Sequence, residues 1–174
     1  MKLIVISDTH GRPSRILEVL RRQPSYDALI FLGDGLRDVE YVSNEIHGLY
    51  AVRGNCDAFS SSLSLSNGVC EELFLKFCEY NIMITHGHKY GVKRGIEVAA
   101  EAAVSKGADL LLYGHTHTPM EKYIPEGETV GNVILPKPLR IFNPGSLGEK
   151  GDGEATFGVV EIRGSSILMS HGRI

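Results

Sequence analysis

The chain is built from short, uninterrupted apolar runs, each of which stops at a glycine or at a polar residue able to bind metal. Leu3-Ile4-Val5-Ile6 runs into Ser7-Asp8-Thr9-His10, and Ala28-Leu29-Ile30-Phe31-Leu32 into Gly33-Asp34. Leu49-Tyr50-Ala51-Val52 runs into Arg53-Gly54-Asn55, Ile82-Met83-Ile84 into Thr85-His86-Gly87, and Leu110-Leu111-Leu112-Tyr113 into Gly114-His115-Thr116-His117. A strand with one wet face alternates apolar and polar residues; runs without alternation read as strands buried on both faces.

Something must cover those faces, and helical stretches separate several of the runs. Pro13 stands at a helix start before Ile16, Leu17 and Leu20, and Pro24 closes that segment. Ile96, Ala99, Ala100 and Ala103 follow helical spacing, with Gly107 placed as a C-terminal stop. A further helix is expected over 36–45. Two segments instead read as hairpins. One joins Leu73, Leu75 and Phe77 to Ile82–Ile84; the other joins Phe157–Ile162 to Ile167–Met169 across Gly164-Ser165-Ser166. The expected fold class is therefore α/β, with mixed, antiparallel-edged sheets, two of them packed together between helices. Residues 57–68 are serine-rich and loop-like, and 125–138 carry no decisive pattern.

With 174 residues, the expectation is one domain over 1–174. An apolar fraction of 43% and a charged fraction of 22% suit a globular core. A net charge of −3 argues against non-specific nucleic-acid binding and against an acidic membrane surface. Three cysteines without metal-knuckle spacing fit free thiols in a reducing compartment, and no bilayer-length apolar run is present, so cytoplasm is the expected location. Cys70 and Cys78 read as strand core, and His47 and His171 as surface residues.

Five strand ends deliver Asp8 and His10, Asp34, Asn55, His86, and His115 with His117. Open α/β sheets bind ligands beyond the carboxyl ends of their strands. Seven nitrogen and oxygen donors without a thiolate exceed one tetrahedral ion and suit two five- or six-coordinate transition metals. Two such ions form a clamp for in-line displacement at phosphorus. Singly, each residue has a plainer reading: Asp8 starts a turn, Asn55 accepts a left-handed conformation, Arg53 makes a structural ion pair, and His88 bonds within its loop.

Taken in order, Asp8-x-His10, Gly33-Asp34, Gly54-Asn55, His86 and Gly114-His115-x-His117 resemble the motif series of calcineurin-like metallophosphoesterases. Thr85-His86-Gly87-His88 and Asn143-Pro144-Gly145-Ser146 are similar to the small YfcE-type phosphodiesterases, and the likeness covers 1–148. The resemblance implies a β-sandwich flanked by helices. It implies one ion on Asp8, His10 and His117, a second on Asn55, His86 and His115, and Asp34 bridging both, with Asp34, Asn55 and His86 at the catalytic centre. Manganese is the expected metal, and nickel, iron, cobalt or zinc also suit these ligands. A bridging hydroxide would attack directly, and Arg53 would touch the phosphate.

Two departures stand out. The acidic residue often found three positions after the bridging aspartate is Arg37 here, with Asp38 next to it, a change expected to act behind the ligands. The Gly-Asn-His motif of family monoesterases reads Gly54-Asn55-Cys56-Asp57. That histidine protonates the leaving group, and a thiol of ordinary pKa near 8.5 is a poor substitute. Cys56, Asp57 and His88 are therefore expected beside the ligands, with Asp57 placed to orient a histidine at position 56. The expected function is a two-metal phosphodiesterase acting on small or nucleotide-like diesters, with self-association left open. The alternatives are a phosphomonoesterase or protein phosphatase, and a metal-binding scaffold resembling the retromer subunit.

Overall fold

In the computed structural model, which describes residues 1–57, 69–148 and 154–174, the chain order is as follows. Strand β1 (Lys2–Ile6) leads through helix α1 (Pro13–Arg22) to β2 (Ala28–Phe31), then through α2 (Leu36–Tyr41) to β3 (Leu49–Ala51). The second half runs β4 (Glu72–Phe77), β5 (Tyr80–Thr85), α3 (Glu97–Ser105), β6 (Leu110–Tyr113), β7 (Met120–Ile124), β8 (Thr129–Val130), β9 (Val133–Ile134) and β10 (Leu139–Asn143). It ends on the hairpin β11 (Thr156–Arg163) and β12 (Ser166–Arg173).

Ten of these strands form two mixed sheets. One has the order β12-β11-β1-β2-β3, the other β4-β5-β6-β10-β7. Parallel pairing joins β1, β2 and β3 in the first and β5, β6 and β10 in the second, with antiparallel strands outside. The continuous apolar runs follow from this layering, because successive side chains point to opposite faces. Leu3, Val5, Ile30, Ile84, Leu112 and Phe142 meet between the sheets. Their neighbours Ile4, Ile6, Leu29 and Phe31 face Ile16, Val19, Leu36 and Val39 of α1 and α2. Met83, Leu111 and Ile141 face Ala99, Ala100 and Ala103 of α3. The result is the expected sandwich between helices.

The helix boundaries follow local chemistry. Pro13 occupies the first turn of α1, where a missing N–H costs nothing. At the end of α3, Gly107 (φ 72°) donates to Val104 O and Ala108 donates to Ala103 O, which is a Schellman closure.

Two expectations are corrected, and one segment left open is placed. The helix over 36–45 stops at Tyr41 and continues only as a 3₁₀ turn at Ser43–Glu45. Cys70 and Cys78 are exposed: the first precedes β4, and the second sits in the β4–β5 turn at φ 54°. The 125–138 segment carries the two-residue ribbon β8–β9. That ribbon buries Val130 and Leu135 under α3 and is tied to it by the Asn132 N–H donated to Glu101. Residues 58–68, where a serine-rich loop is expected, lie outside the described residues. No helix among the described residues is long and apolar enough to cross a membrane.

Candidate active site

The three parallel strands of each sheet end on one edge of the sandwich, and every residue expected to carry chemistry stands in the loops that follow them. Asp8 and His10 follow β1, Asp34 follows β2, and Asn55 lies in a 3₁₀ turn (Asn55–Asp57) after β3. His86 follows β5, and His115 and His117 follow β6. The backbone turns sharply at these points. Asp8, His10, Asp34, His115 and His117 have φ of 55°, 44°, 60°, 68° and 60°, and Cys78 is the other non-glycine described residue with positive φ. Left-handed backbone is unfavourable for such residues and persists where the surroundings over-determine it. Two glycines make the close approach workable. A Cβ on Gly33 would stand 2.6 Å from Gly54 N, and one on Gly54 would stand 2.0 Å from Asp34 Oδ1.

The donor atoms form two groups. Asp8 Oδ2 accepts from the Ser7 hydroxyl and from His115 N–H. Its other oxygen, Oδ1, is buried without a hydrogen bond, 3.1 Å from His117 Nε2 and 3.8 Å from His10 Nε2. In the second group the buried His86 donates Nδ1–H to Leu32 O at 2.7 Å. Because that carbonyl only accepts, it is Nε2 that carries the lone pair whenever the ring is neutral. His86 Nε2 lies 3.1 Å from His115 Nδ1, 3.2 Å from Asn55 Oδ1 and 3.3 Å from Asp34 Oδ2. Asp34 belongs with His10 on one side and with His86 and His115 on the other. Converging lone pairs in a buried setting repel one another unless a cation sits among them, so the donor set suits divalent metal.

Protons are the competing cations here. Burial opposes ionisation of Asp34, but the His86 hydrogen bond, the Cys56 N–H and the His86 charge hold its carboxyl well below the usual range. Burial also opposes charge on His86, yet Asp34 and Asp8 raise its pKa. Burial, with the neighbouring His86 and Lys93 charges, pushes His115 down to about 4. A base that resists protonation remains available to a metal ion.

The surrounding shell explains how the loops are held. Asp57 is buried, and its two oxygens accept four backbone N–H groups: Asp34 (2.7 Å), Gly54 (2.9 Å), Gly35 (2.9 Å) and Leu36 (3.0 Å). The expectation that Asp57 would orient a ring at position 56 is therefore corrected, because its acceptors already serve the β2 and β3 loops. Asp38 does the same for the β1 loop, accepting from Thr9 Oγ1, Gly11 N and Arg12 N. Asn143 donates to Gly114 O and Thr116 Oγ1, and Ser146 donates to Asp8 O. The Asn-Pro-Gly-Ser segment thus clamps the loop of Asp8 to the loop of His115 and His117. Sequence reasoning quoted that segment only for its likeness and gave it no task. A buried Asn flanked by Pro-Gly was the available signal, since a buried amide must find partners.

Cys56 is exposed, its N–H bound to Asp34 Oδ1 at 2.7 Å and its sulfur accepting from Asn55 Nδ2 at 3.2 Å. Partial burial and the Asp34, Asp57 and Asp8 carboxylates push its thiol up to about 11. Arg53 is half-buried, its Nε without a partner among the described residues. The His88 ring stands 5.4 Å from that of His86, with Nδ1 buried and unbonded and its pKa lowered by burial and by the His86 charge. His47 is exposed and stacks on Tyr26; His171 is exposed too, yet its Nε2 reaches Asn143 O at 2.7 Å.

Comparison with known proteins agrees with this geometry. Phosphodiesterase YfcE of Escherichia coli is 28% identical over 183 residues, covering 92% of this chain and 88% of that protein. A predicted phosphoesterase structure from Streptococcus pneumoniae superposes with a TM-score of 0.73 at 26% identity, over 99% of this chain and 88% of that one. Vps29 of Entamoeba histolytica, complexed with zinc in its own crystal structure, shares the fold at a TM-score of 0.69 and 19% identity, over 99% of each chain. The calcineurin-like phosphoesterase superfamily domain matches residues 1–165, and the chain belongs to that superfamily.

Proposed function

We propose that the protein is a two-metal phosphodiesterase acting on small or nucleotide-like diesters. The observation that carries this reading is the position of Asp34, whose carboxylate is shared by the His10 side and the His86–His115 side of one donor set. Asp8, His10 and His117 would hold one divalent ion, Asn55, His86 and His115 the other, and Asp34 would bridge them. Such a pair supplies positive charge for the phosphoryl oxygens and a water acidified to near neutral pH that serves as nucleophile. Asp8 is aimed by Ser7 and His115, and His86 by the Leu32 carbonyl, so neither ligand reorganises when the ions bind. Arg53, with an uncommitted Nε, would bind a non-bridging phosphoryl oxygen. The likeness to a relative named a phosphodiesterase supports the substrate class.

Cys56 favours diesters over monoesters. An aryl diester leaves without much protonation, whereas an alkyl monoester leaves as a basic alkoxide and needs a proton in the transition state. General acids contribute about 100- to 10,000-fold, and a thiol with its pKa pushed up to about 11 is a reluctant donor. The test is turnover of a bis-aryl phosphodiester against an alkyl phosphomonoester by metal-loaded protein. The diester is expected to dominate, and Cys56→Ala to keep diester turnover within about tenfold, at the low end of what losing a working acid brings. A Cys56→Ala loss as deep as that of a ligand variant, with metal retained, would make the thiol a participant. The metal-binding scaffold reading has the shared fold in its favour, and bound metal without turnover of either ester would favour it.

A further inference from the structure

On the His10 side the site opens into a cleft of about 350 Å³, lined by His10, Asp34, Arg37, Asp38, Cys56 and Asp57 among others. Its charges are not equivalent. The Asp57 and Asp38 carboxylates are committed to backbone N–H groups and the Thr9 hydroxyl, and Asp34 belongs to the metal donors. Arg37 is exposed and has no hydrogen-bond or ion-pair partner among the described residues. Arg12 is also exposed, and its backbone N–H donates to Asp38, the residue that follows Arg37. A second cleft, of about 440 Å³, is lined by Glu71, Glu72, His88, Lys89 and Tyr90 among others, and differs. There Lys89 is paired with Glu71, and Glu72 with Lys106 and Tyr90. Arg37 thus brings a guanidinium without a partner among the described residues into the cleft on the His10 side.

We propose that Arg37 forms an anion subsite that selects phosphodiesters carrying a second, terminal phosphate. This rests on the phosphodiesterase reading of the neighbouring site. A terminal phosphate is a dianion with three acceptor oxygens, which an unpaired guanidinium meets with parallel hydrogen bonds. The rest of the cleft lining offers it His10 and already-occupied carboxylates, so the preference depends on Arg37. A hydrogen bond to a charged group is worth about 10- to 100-fold in binding. At an exposed position that preference shrinks as salt is raised.

Two arms separate this subsite from the underlying activity. In the binding arm, metal-loaded protein is titrated calorimetrically with a nucleoside 5′-monophosphate and with the corresponding 3′,5′-bisphosphate. The wild type is expected to bind the bisphosphate about tenfold more tightly. The ratio should fall to about twofold or less in Arg37→Gln, be partly kept in Arg37→Lys, and shrink when salt rises from about 0.05 to 0.5 M. In the turnover arm, the p-nitrophenyl ester of the nucleotide is compared with its 3′-phosphorylated form, and the extra phosphate is expected to lower KM more than it changes kcat. Equal binding of the two nucleotides by wild type, or an undiminished ratio in Arg37→Gln, would overturn the subsite. Failure of both esters to turn over would overturn the phosphodiesterase reading, while the binding ratio would still decide the subsite.

Discussion

Asp34 and His10 differ in what each removes from the site. Asp34 faces both donor groups, whereas His10 serves the group that also holds Asp8 and His117. Asp34→Asn keeps the shape and discards the charge, and is expected to lower diester turnover by at least about 100-fold and to lower bound metal on both sides. His10→Ala should cost about tenfold at saturating metal, because His86, His115 and Asn55 stay aimed. Comparable mild losses, with equal metal content by elemental analysis, would remove the bridging role from Asp34. At this scale the sequence was readable for which donor side chains would stand together and less so for their supports. All seven expected donors stand together, because strand-end placement follows from the buried runs. Asp57 was assigned the wrong task, since its partners are backbone N–H groups that no side-chain pattern displays.

The loops after β2 and β3 approach so closely that their glycines act as one element. Gly54→Ala would drive a Cβ to 2.0 Å from Asp34 Oδ1. The carboxylate must turn or the loop must shift, at a cost of about 1–3 kcal/mol. The expected outcome is folded protein by circular dichroism that binds about tenfold less metal and has a lowered thermal midpoint. Normal metal content would show that the loop yields freely. The strands of the sandwich were legible because both of their faces are buried, which leaves a continuous apolar signature. The β8–β9 ribbon was not, because two-residue strands held by Glu101 lack any period to read. Cys70 and Cys78 misled for a related reason: apolar residues at the end of a strand look like its core, although the chain there is already turning.

For the molecule as a whole, metal and protons act on the same balance. In chelated protein His115 keeps its neutral form down to about 4, whereas an unfolded histidine takes up a proton near 6.5. Between those values the unfolded chain binds more protons at this position, so His115 removes stability as pH falls from about 6.5 to 4. The raised pKa of His86 acts in the opposite sense: its contribution is present at low pH and is lost as pH rises past the folded value. Thermal melts of chelated wild type and His115→Asn across this range should show a flatter acid limb in the variant. Identical limbs would mean that His115 is not shielded from protons. Metal at 1,000 times its dissociation constant adds about 4 kcal/mol, or about 10 °C in melting temperature for a chain of this size.

The left-handed residues at the strand ends set function and robustness against each other. Each side chain held at positive φ costs of order 1 kcal/mol, a debt that metal coordination settles only while metal is bound. His10, at φ 44° and on the rim of the cleft, shows the conflict most simply. His10→Gly should raise the melting temperature of chelated protein by about 2–4 °C while lowering that of metal-saturated protein. A midpoint that falls in both forms would show that the imidazole packs favourably without metal. If the chelated form gains, glycine would suit folding alone better at these positions, so the five side chains carry a cost to stability that only a bound ion offsets.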